Sequence, residues 1–466
     1  MVGGFFAAVT ALAPIAAAQP QPSASPSPSG SGSPSPSATE APTAAPELVP
    51  VEPEVLPGLE PTPPEPANPN IEPGGLESEP GWRGELGQPR QENAVAETNE
   101  GAVPSKSLGP RIGLGPFRIQ PLIQVGSVYD DNILISHVDR EGDFVSIIAP
   151  GFSIGIGDYL EKKLTFFRLD YTPIFVLFAD HTEFNSIDQY LRVEGQYANE
   201  RIAINPYFQY DKLSSTDRDA GGRVDRELFT AGINNTYVIS DKTSINVNAV
   251  GWVRQYQHGT DSKEVFNNDW FNYNITPKFD IDVGLGLGLL KPEDSGDQTY
   301  EQALVRVRFF STAKLTLNAN AGVEFRQFAS GTDDRATPVF GLGVIYKPTE
   351  TTTVRLSGAR QVYSSISATG LNYTSTRIDL GIEQQIWRQF LVRLAAGYEN
   401  DKYDAAAADV NASRVDNYIS VRPEIVYRFR DWMQFTLFYQ YQKNDSTSAF
   451  NAFVDNQIGL QSTLKF

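Results

Sequence analysis

Residues 457–466 read Gln-Ile-Gly-Leu-Gln-Ser-Thr-Leu-Lys-Phe and alternate between polar and apolar side chains. One face of the extended chain carries Ile458, Leu460, Leu464 and Phe466, whereas Gln, Gly, Thr and Lys residues occupy the other face. A period of two is typical of a β-strand with one apolar and one polar face. Chains inserted into the bacterial outer membrane commonly carry such a strand, with its terminal aromatic, as an assembly signal. The sequence therefore predicts this role for Phe466.

The composition of the chain changes once, near residue 110. Before that point lie 22 of the 32 prolines, and after it lie 49 of the 52 aromatic residues. The first part is too poor in apolar residues to bury a core that offsets chain entropy, whereas the second part is not. We therefore expect a signal peptide over 1–18, a disordered Pro/Ser/Glu-rich periplasmic linker over 19–110 and one folded domain over 111–466.

The segment 3–18 is an apolar run that closes on three alanines before Gln19. Its length and its small residues favour a secretory signal peptide. Because no Lys or Arg precedes it, two alternatives stay open: a longer signal has been truncated, or the run is an apolar tail. Elsewhere the sequence has no stretch approaching 18 consecutive apolar residues, so no spanning helix is predicted.

Residues 19–110 are rich in proline, serine and glutamate, a composition that favours extended polyproline-like conformations. The simplest interpretation is a disordered periplasmic tether. The alternative is a spacer that reaches a partner in the periplasm or the cell wall. Nothing in the composition identifies that partner.

From Phe117 onward, alternating segments recur about every twenty residues. The clearest alternation runs over four segments: 314–326, 390–399, 419–429 and 434–442. Strands of soluble domains usually have about 5–6 residues. Segments of roughly twice that length match strands that cross a bilayer at a tilt.

The predicted connections alternate between eight short turns and nine longer polar loops. The loops are 131–142, 180–186, 213–222, 257–264, 292–298, 329–334, 364–371, 404–413 and 443–452. This arrangement gives 18 strands, with 16 to 20 open, and places both ends of the chain on the short-turn side. An even count and long loops at one end are typical of outer-membrane barrels.

The sequence thus predicts an all-β fold: a transmembrane, antiparallel, up-and-down β-barrel with a disordered N-terminal extension. A β-structure can cross lipid only when its sheet closes, and a barrel of this size has room for water inside. Aromatic residues near strand ends are expected to form girdles: Tyr129, Phe279, Tyr363, Trp387, Tyr403 and Trp432. Prolines on the apolar faces are expected to cause bulges or local twist: Pro173, Pro206, Pro277 and Pro423.

Charged residues at polar-face positions are the candidate site, because they are predicted to line the lumen. They are Arg168, Arg306, Arg308, Lys314, Glu324, Arg326, Arg355, Arg393, Glu399, Arg422, Glu424 and Arg428. A surplus of cations among them would favour anionic solutes. The alternative is that the charges pair with one another and only hold the wall.

Two further patterns have simple structural interpretations. The glycines of the run 284–288 are expected to face the lumen under Trp270, while Leu285 and Leu287 face lipid. The acidic segment 211–227 is expected to be a solvated loop, with binding of calcium or lipopolysaccharide as the alternative.

The chain offers no recognisable catalytic arrangement. Its three histidines, His137, His181 and His258, fall in separate predicted loops, and there is no Cys. No nucleophile lies beside a histidine in a pattern that would support hydrolysis. We therefore expect no enzyme activity, no cofactor and no metal. The net charge of −18, without a basic patch, argues against nucleic acid.

The segment from Phe117 to Tyr129-Asp130-Asp131-Asn132-Ile133, together with the ending from Asn456 to Phe466, resembles the second-type family of outer-membrane β-barrel porins. The resemblance spans roughly residues 111–466. It implies location in the outer membrane of a Gram-negative bacterium, sometimes in association with exopolysaccharide export. It supplies no catalytic residues, and the long linker departs from its usual pattern.

Three functional hypotheses follow from these patterns. The leading one is a porin-like channel for small solutes or for envelope polysaccharide. The second is a structural anchor that presents external loops and is tethered through residues 19–110. The third, disfavoured by the sequence, is an outer-membrane enzyme. Expected partners are outer-membrane lipid, lipopolysaccharide, the barrel-assembly machinery and a periplasmic or cell-wall partner.

Overall fold

The computed structural model describes residues 112–157, 165–293, 296–312, 314–329, 334–366, 372–403 and 414–465. The predicted signal peptide, the predicted linker and Phe466 lie outside these residues, so the corresponding expectations stay predictions.

Strands dominate the described part of the chain. They are β1 (Ile112–Leu114), β2 (Phe117–Asp130), β3 (Asp143–Gly157), β4 (Phe166–Phe178), β5 (Ser186–Ala198), β6 (Ile202–Asp217), β7 (Gly222–Ser240), β8 (Thr243–Tyr256), β9 (Ser262–Thr276), β10 (Phe279–Pro292), β11 (Gln298–Thr312), β12 (Leu315–Phe328), β13 (Arg335–Thr349), β14 (Thr352–Ser364), β15 (Asn372–Trp387), β16 (Phe390–Tyr403), β17 (Val415–Arg430), β18 (Met433–Ser446) and β19 (Phe453–Lys465). Two single 3₁₀ turns, Thr182–Phe184 and Ala449–Asn451, lie in loops. Among the described residues there is no helix long and apolar enough to span a membrane.

The sheet closes on itself. Each strand from β2 to β18 pairs antiparallel with the next, and β19 returns to pair with β2, from Gln457 opposite Asp130 to Lys465 opposite Leu122. The short strand β1 pairs with the start of β2. The prediction of an antiparallel barrel with 18 strands is therefore confirmed. Closure leaves no edge strand of the barrel unpaired, as a sheet surrounded by lipid requires.

The two faces of the sheet differ in polarity. On β10, Leu285 and Leu287 are 64% and 60% exposed, while Asp282 is fully buried. Arg306 of β11 donates a hydrogen bond to Asn272 of β9 on the same side as Asp282, so this contact spans β10 on the concave face. The apolar side chains therefore face outward, and the polar ones face the interior, as in barrels that cross a membrane.

The glycine run of β10 matches its predicted role. A Cβ atom at Gly284 would overlap the Trp270 ring, and one at Gly288 would overlap the Tyr300 ring. Tyr300 stacks on Phe266 with ring centroids 5.5 Å apart. These aromatic rings from β9 and β11 lie over the bare backbone of β10 inside the barrel, so the glycines are needed for close packing.

Of the irregularities expected at the four prolines, one is found, a shift of register between Phe279 and Asp280 just after Pro277. No bulge is found at the other three. Pairing beside Pro173, Pro206 and Pro423 skips two or three residues and then resumes in the same register. A proline lacks a backbone N–H, so it removes a ladder bond without inserting an extra residue. The fourth proline, Pro277, lies in the turn between β9 and β10.

Two other expectations about position were wrong. The predicted loop 213–222 is mostly strand, because β6 and β7 stay paired up to Asp217 opposite Gly222.

Tyr363 and Tyr403, expected in a girdle, belong instead to a stack of inward-facing rings with Tyr373. The ring centroid of Tyr373 lies 5.5 Å from that of Tyr363 and 4.8 Å from that of Tyr403. Both tyrosines lie on the interior face of their strands, because each is an even number of residues from an inward-facing charged residue, Arg355 on β14 and Glu399 on β16.

Substitution of Gly288 tests the packing under β10. We expect Gly288→Ala to lower barrel stability by about 1–3 kcal/mol, because the added methyl group forces the Tyr300 ring to move. The temperature at which the folded band converts to the unfolded band on a denaturing gel measures this effect. Gly195→Ala is the control, since the nearest atom to its Cβ is 3.8 Å away. Equal transition temperatures for the two variants would contradict the packing argument.

Candidate functional site: the barrel interior

The strand register puts most of the candidate charged residues on the interior face. They alternate in step with buried inward residues on β4, β11, β12, β14, β16 and β17: Arg168, Arg306, Arg308, Glu324, Arg326, Arg355, Arg393, Glu399, Arg422, Glu424 and Arg428. Lys314 lies in the turn before β12, and its Nζ donates to the carbonyl oxygen of Pro348 at 3.3 Å.

Seven of the eight candidate arginines lie within 4 Å of a carboxylate. In one of the two most buried pairs Arg306 Nε lies 2.7 Å from Asp282 Oδ2, and the Arg306 guanidinium also lies 4.1 Å from the centre of the Trp270 ring. A paired and hydrogen-bonded guanidinium can be held out of water, whereas an isolated one could not.

The pairs join into a network across β14, β15, β16 and β17. Glu383 contacts both Arg355 and Arg393, and Arg393 lies 3.9 Å from Glu424. Glu424 in turn accepts a hydrogen bond of 2.6 Å from Arg422. The geometry therefore matches the interpretation in which the interior charges pair with one another.

Sequence reasoning missed most of the interior carboxylates. Asp170, Asp282, Asp379 and Glu383 all pair with arginines on the inner face. For Asp170 and Asp379 the pattern Arg-x-Asp was an available signal, because residues two apart on a strand share a face. Arg168 with Asp170 is one such pair. Asp282 and Glu383 pair with arginines of neighbouring strands, which no local pattern marks.

These four carboxylates alone do not balance the arginines, but further carboxylates are buried on the described strands, among them Glu194, Asp211 and Asp401. With those included, the described part of the interior does not carry the surplus of cations that the sequence suggested.

The tip of the β6–β7 hairpin, residues 218–221, crosses the mouth of the barrel. In a ring of 18 strands β7 and β16 are nine strands apart and thus on opposite walls. Arg218 at this tip nevertheless lies 3.0 Å from Glu399 of β16, and its guanidinium lies 3.9 Å from the centre of the Tyr418 ring of β17. Such contacts can form only through the interior.

Asp219 attaches the hairpin tip to the loop that follows β14. Its Oδ2 accepts hydrogen bonds from Ser365 Oγ at 2.8 Å and from the Ile366 backbone N–H at 2.7 Å. Its Oδ1 lies 3.3 Å from Arg414 Nη1. Asn451, before β19, donates to the carbonyl oxygens of Arg218 and Asp219. The hairpin tip is therefore held from three sides and narrows the mouth.

Asp217 fixes the backbone at the base of the hairpin tip. Its Oδ1 accepts the backbone N–H groups of Asp219 and Ala220, and its Oδ2 pairs with Arg226 at 2.7 Å. Gly221, at φ +72°, passes directly beneath Phe450. The expectation of a solvated acidic loop over 211–227 is therefore wrong, because the acidic residues 217 and 219 are buried and partnered.

All three histidines lie outside the strands, as predicted. His181 Nδ1 lies 3.1 Å from Oδ2 of the buried Asp143, and its Nε2 lies 3.2 Å from Glu141. The hydrogen bond to Asp143, together with the negative charges of Glu141 and Glu183, raises the pKa of His181 above its ordinary value. These contacts fasten the loop between β4 and β5 to the start of β3.

The chain resembles known barrels in sequence and in fold. The model of the family described as "Putative beta-barrel porin 2" matches residues 292–466, less than half of the chain. No curated protein matches the sequence. The match agrees with the resemblance noted from the sequence, over a shorter range that begins at the end of β10.

Several solved structures align with this barrel. OccAB4 from Acinetobacter baumannii gives a TM-score of 0.42 at 12% identity, covering 76% of this chain and 99% of that one. OccK2 (OpdF) from Pseudomonas aeruginosa, solved with glucuronate, gives 0.42 at 10% identity, covering 77% and 99%. The outer membrane protein OpdK from Pseudomonas aeruginosa gives 0.40 at 12% identity, covering 75% and 98%.

The closed sheet, its apolar outer face and its polar interior define a porin-like outer-membrane barrel fold. The β6–β7 hairpin tip and the paired charges of the wall are the features of this barrel that bear on what can pass through it.

Removal of a buried arginine tests whether paired charges hold the wall. Arg306→Gln leaves the fully buried Asp282 with weaker contacts to Arg308, and we expect a loss of about 3 kcal/mol of stability. Arg393→Gln is the control, because Arg393 is more exposed and its carboxylates are 3.5 and 3.9 Å away. We expect Arg393→Gln to lower the free energy of unfolding by less than about 1 kcal/mol. Chemical unfolding followed by tryptophan fluorescence compares the two, and a similar cost for both would contradict this account.

Proposed function

We propose that the protein is a channel in the outer membrane of a Gram-negative bacterium and that it passes small polar solutes. The observation that carries this proposal is the combination of an apolar exterior with an interior lined by hydrogen-bonding and charged side chains. A barrel of 18 strands is wide enough to hold water between its walls.

The hairpin tip would set the size of solute that passes. It brings Arg218 and Asp219 to the mouth, where they meet Arg414 and Glu399. Both signs of charge are present there and are paired, so we expect weak ion selectivity and a preference for polar solutes that exchange hydrogen bonds with the wall. This expectation replaces the anion preference inferred from sequence.

Passage of a polysaccharide, which the family resemblance implies as an alternative cargo, places a further demand on the structure. A polymer crossing the barrel would have to displace the hairpin tip from Ser365, Ile366 and Arg414. The contacts observed at the mouth therefore favour small solutes over export of a polymer.

A second candidate function is a structural anchor. The observation that favours it is the attachment of the hairpin tip to three separate parts of the opposite wall, which narrows the route through the interior. In this proposal residues 1–18 direct secretion and residues 19–110 tether the barrel to a periplasmic or cell-wall partner. Lipid and lipopolysaccharide surround the barrel in both proposals, and insertion depends on the barrel-assembly machinery.

Conductance of the purified protein in a planar lipid bilayer tests the channel. We expect a steady conductance that rises in the double variant Arg218→Ala with Asp219→Ala, because the tip then loses its ion pairs and its contacts with Ser365 and Ile366. Lys242→Ala, in the exposed turn at the other end of β7, is the control and should leave conductance unchanged.

The outcomes separate the two proposals. A wild-type protein and a double variant that are both silent would reject the channel and favour the anchor. A wild-type protein that conducts equally well with and without the tip contacts would show that the hairpin does not limit passage.

A further inference from the structure

A cluster of three carboxylates lies inside the barrel where the first and last long strands meet. Asp130 ends β2, Asp131 follows it, and Asp455 is on β19, which pairs with β2. One carboxylate oxygen from each residue lies within 4.8 Å of the others. This spacing allows one ion to touch all three, since calcium binds oxygen ligands at about 2.3–2.6 Å.

Asp455 has an oxygen without a partner. Asp455 is 2% exposed, and its Oδ1 is buried and accepts no hydrogen bond, whereas its Oδ2 accepts from Gln457 Nε2 at 2.9 Å. The same amide nitrogen also donates to Oδ2 of Asp130 at 3.1 Å. The carboxyl groups of Asp455 and Asp130 lie within hydrogen-bond reach of each other, a contact that two carboxylates can make only with a proton or a cation between them. A buried carboxylate oxygen left without a donor is unfavourable unless a cation or a proton occupies its lone pairs.

The charges around this cluster differ from those around most of the wall. Most of the interior carboxylates described above pair with arginines, although Asp188 is held by Ser186 and Ser214 instead. Within the described part of the chain no Lys or Arg forms an ion pair with Asp130 or Asp455. Arg140 reaches only the outer member of the cluster, Asp131, at 2.6 Å. Arg223 acts on Asp130 from a distance without forming an ion pair. The two buried carboxylates therefore lack a compensating cation.

The loop after β2 holds the cluster in a fixed arrangement. Asn132 Nδ2 donates to the carbonyl oxygens of Ser136 and Val454, which joins the loop to β19. Ile133 and Ile135 turn inward and are buried, and Ile135 adopts φ +48°, which is unusual for a β-branched residue. Its side chain packs with Tyr418 and Phe453. These contacts order the backbone that presents Asp131 to Asp455.

We propose that Asp130, Asp131 and Asp455 bind a divalent cation, with calcium as the best match, at the interior side of the seam that closes the barrel. The three residues supply hard oxygen ligands, and water completes the six to eight positions that calcium takes. The ion would join β2, the loop after it and β19, and would thus stabilise the closure of the sheet. This site is independent of whether the barrel conducts.

The test uses the full-length protein in detergent, freed of lipopolysaccharide and treated with a chelator that is then removed. We expect added calcium to raise the unfolding temperature of the wild-type barrel by a few degrees in a saturable way. Half-saturation is expected at roughly 0.1–1 mM, the range of extracellular calcium modules. Equilibrium dialysis with calcium should give about one high-occupancy site per chain in the same concentration range.

Asp455→Asn is the decisive variant, because it removes the charge of the buried ligand and keeps its shape. We expect both the temperature rise and the bound calcium to be lost. Asp139→Asn, an exposed residue of the same loop, is the control and should respond as the wild type does.

Three results would overturn the proposal. One is a wild-type protein whose unfolding temperature does not change with calcium. Another is a calcium response that persists in Asp455→Asn, since the ion would then bind elsewhere. The third is a wild type that ignores calcium but loses stability as the pH is raised from neutral, which would show that Asp130 and Asp455 share a proton instead.

Discussion

Backbone hydrogen bonding imposes the constraint on which the rest of this structure depends. A sheet surrounded by acyl chains can leave no strand edge unpaired, and here the pairing of β19 with β2 closes the ring. Once the ring is closed, the period of two along each strand divides the side chains between two environments. Leu285 and Leu287 belong to the outer face, while Asp282 belongs to the inner one. The alternation is therefore a consequence of closure in lipid.

The polar side chains of the interior must then find hydrogen-bond and ion-pair partners within the barrel. The inner wall does so largely by placing an arginine two residues from a carboxylate on one strand, as in Arg168 with Asp170 and Arg422 with Glu424. Contacts between strands, such as Arg306 with Asp282, extend these pairs into a network. Such pairs restrict the side chains and neutralise the wall. The cluster of Asp130 and Asp455 departs from this rule, which is why a bound cation is a reasonable way to complete it.

The fold could be predicted from sequence because alternation is a local signal that repeats along the chain, and closure follows once the apolar face is assigned to lipid. The packing of Trp270 over Gly284 was also predictable, since a bare backbone and a large ring on a neighbouring strand complement each other. The interior was harder to predict. Carboxylates such as Asp170 were recognisable from the spacing of Arg and acid, whereas Asp282 pairs only across strands. The docking of Arg218 on Glu399 depends on residues that the sequence separates widely. A loop that folds inward has the same polar composition as one that points into solvent.

The most direct test of this account is the environment of alternate residues on one strand. The chain has no cysteine, so single cysteines at Leu437, Tyr439, Gln440 and Gln442 of β18 can each carry a spin label in a lipid bilayer. The account predicts that labels at 437 and 439 collide with oxygen dissolved in lipid, while labels at 440 and 442 do not. Equal oxygen accessibility at all four positions, or water contact at 437 and 439, would contradict it.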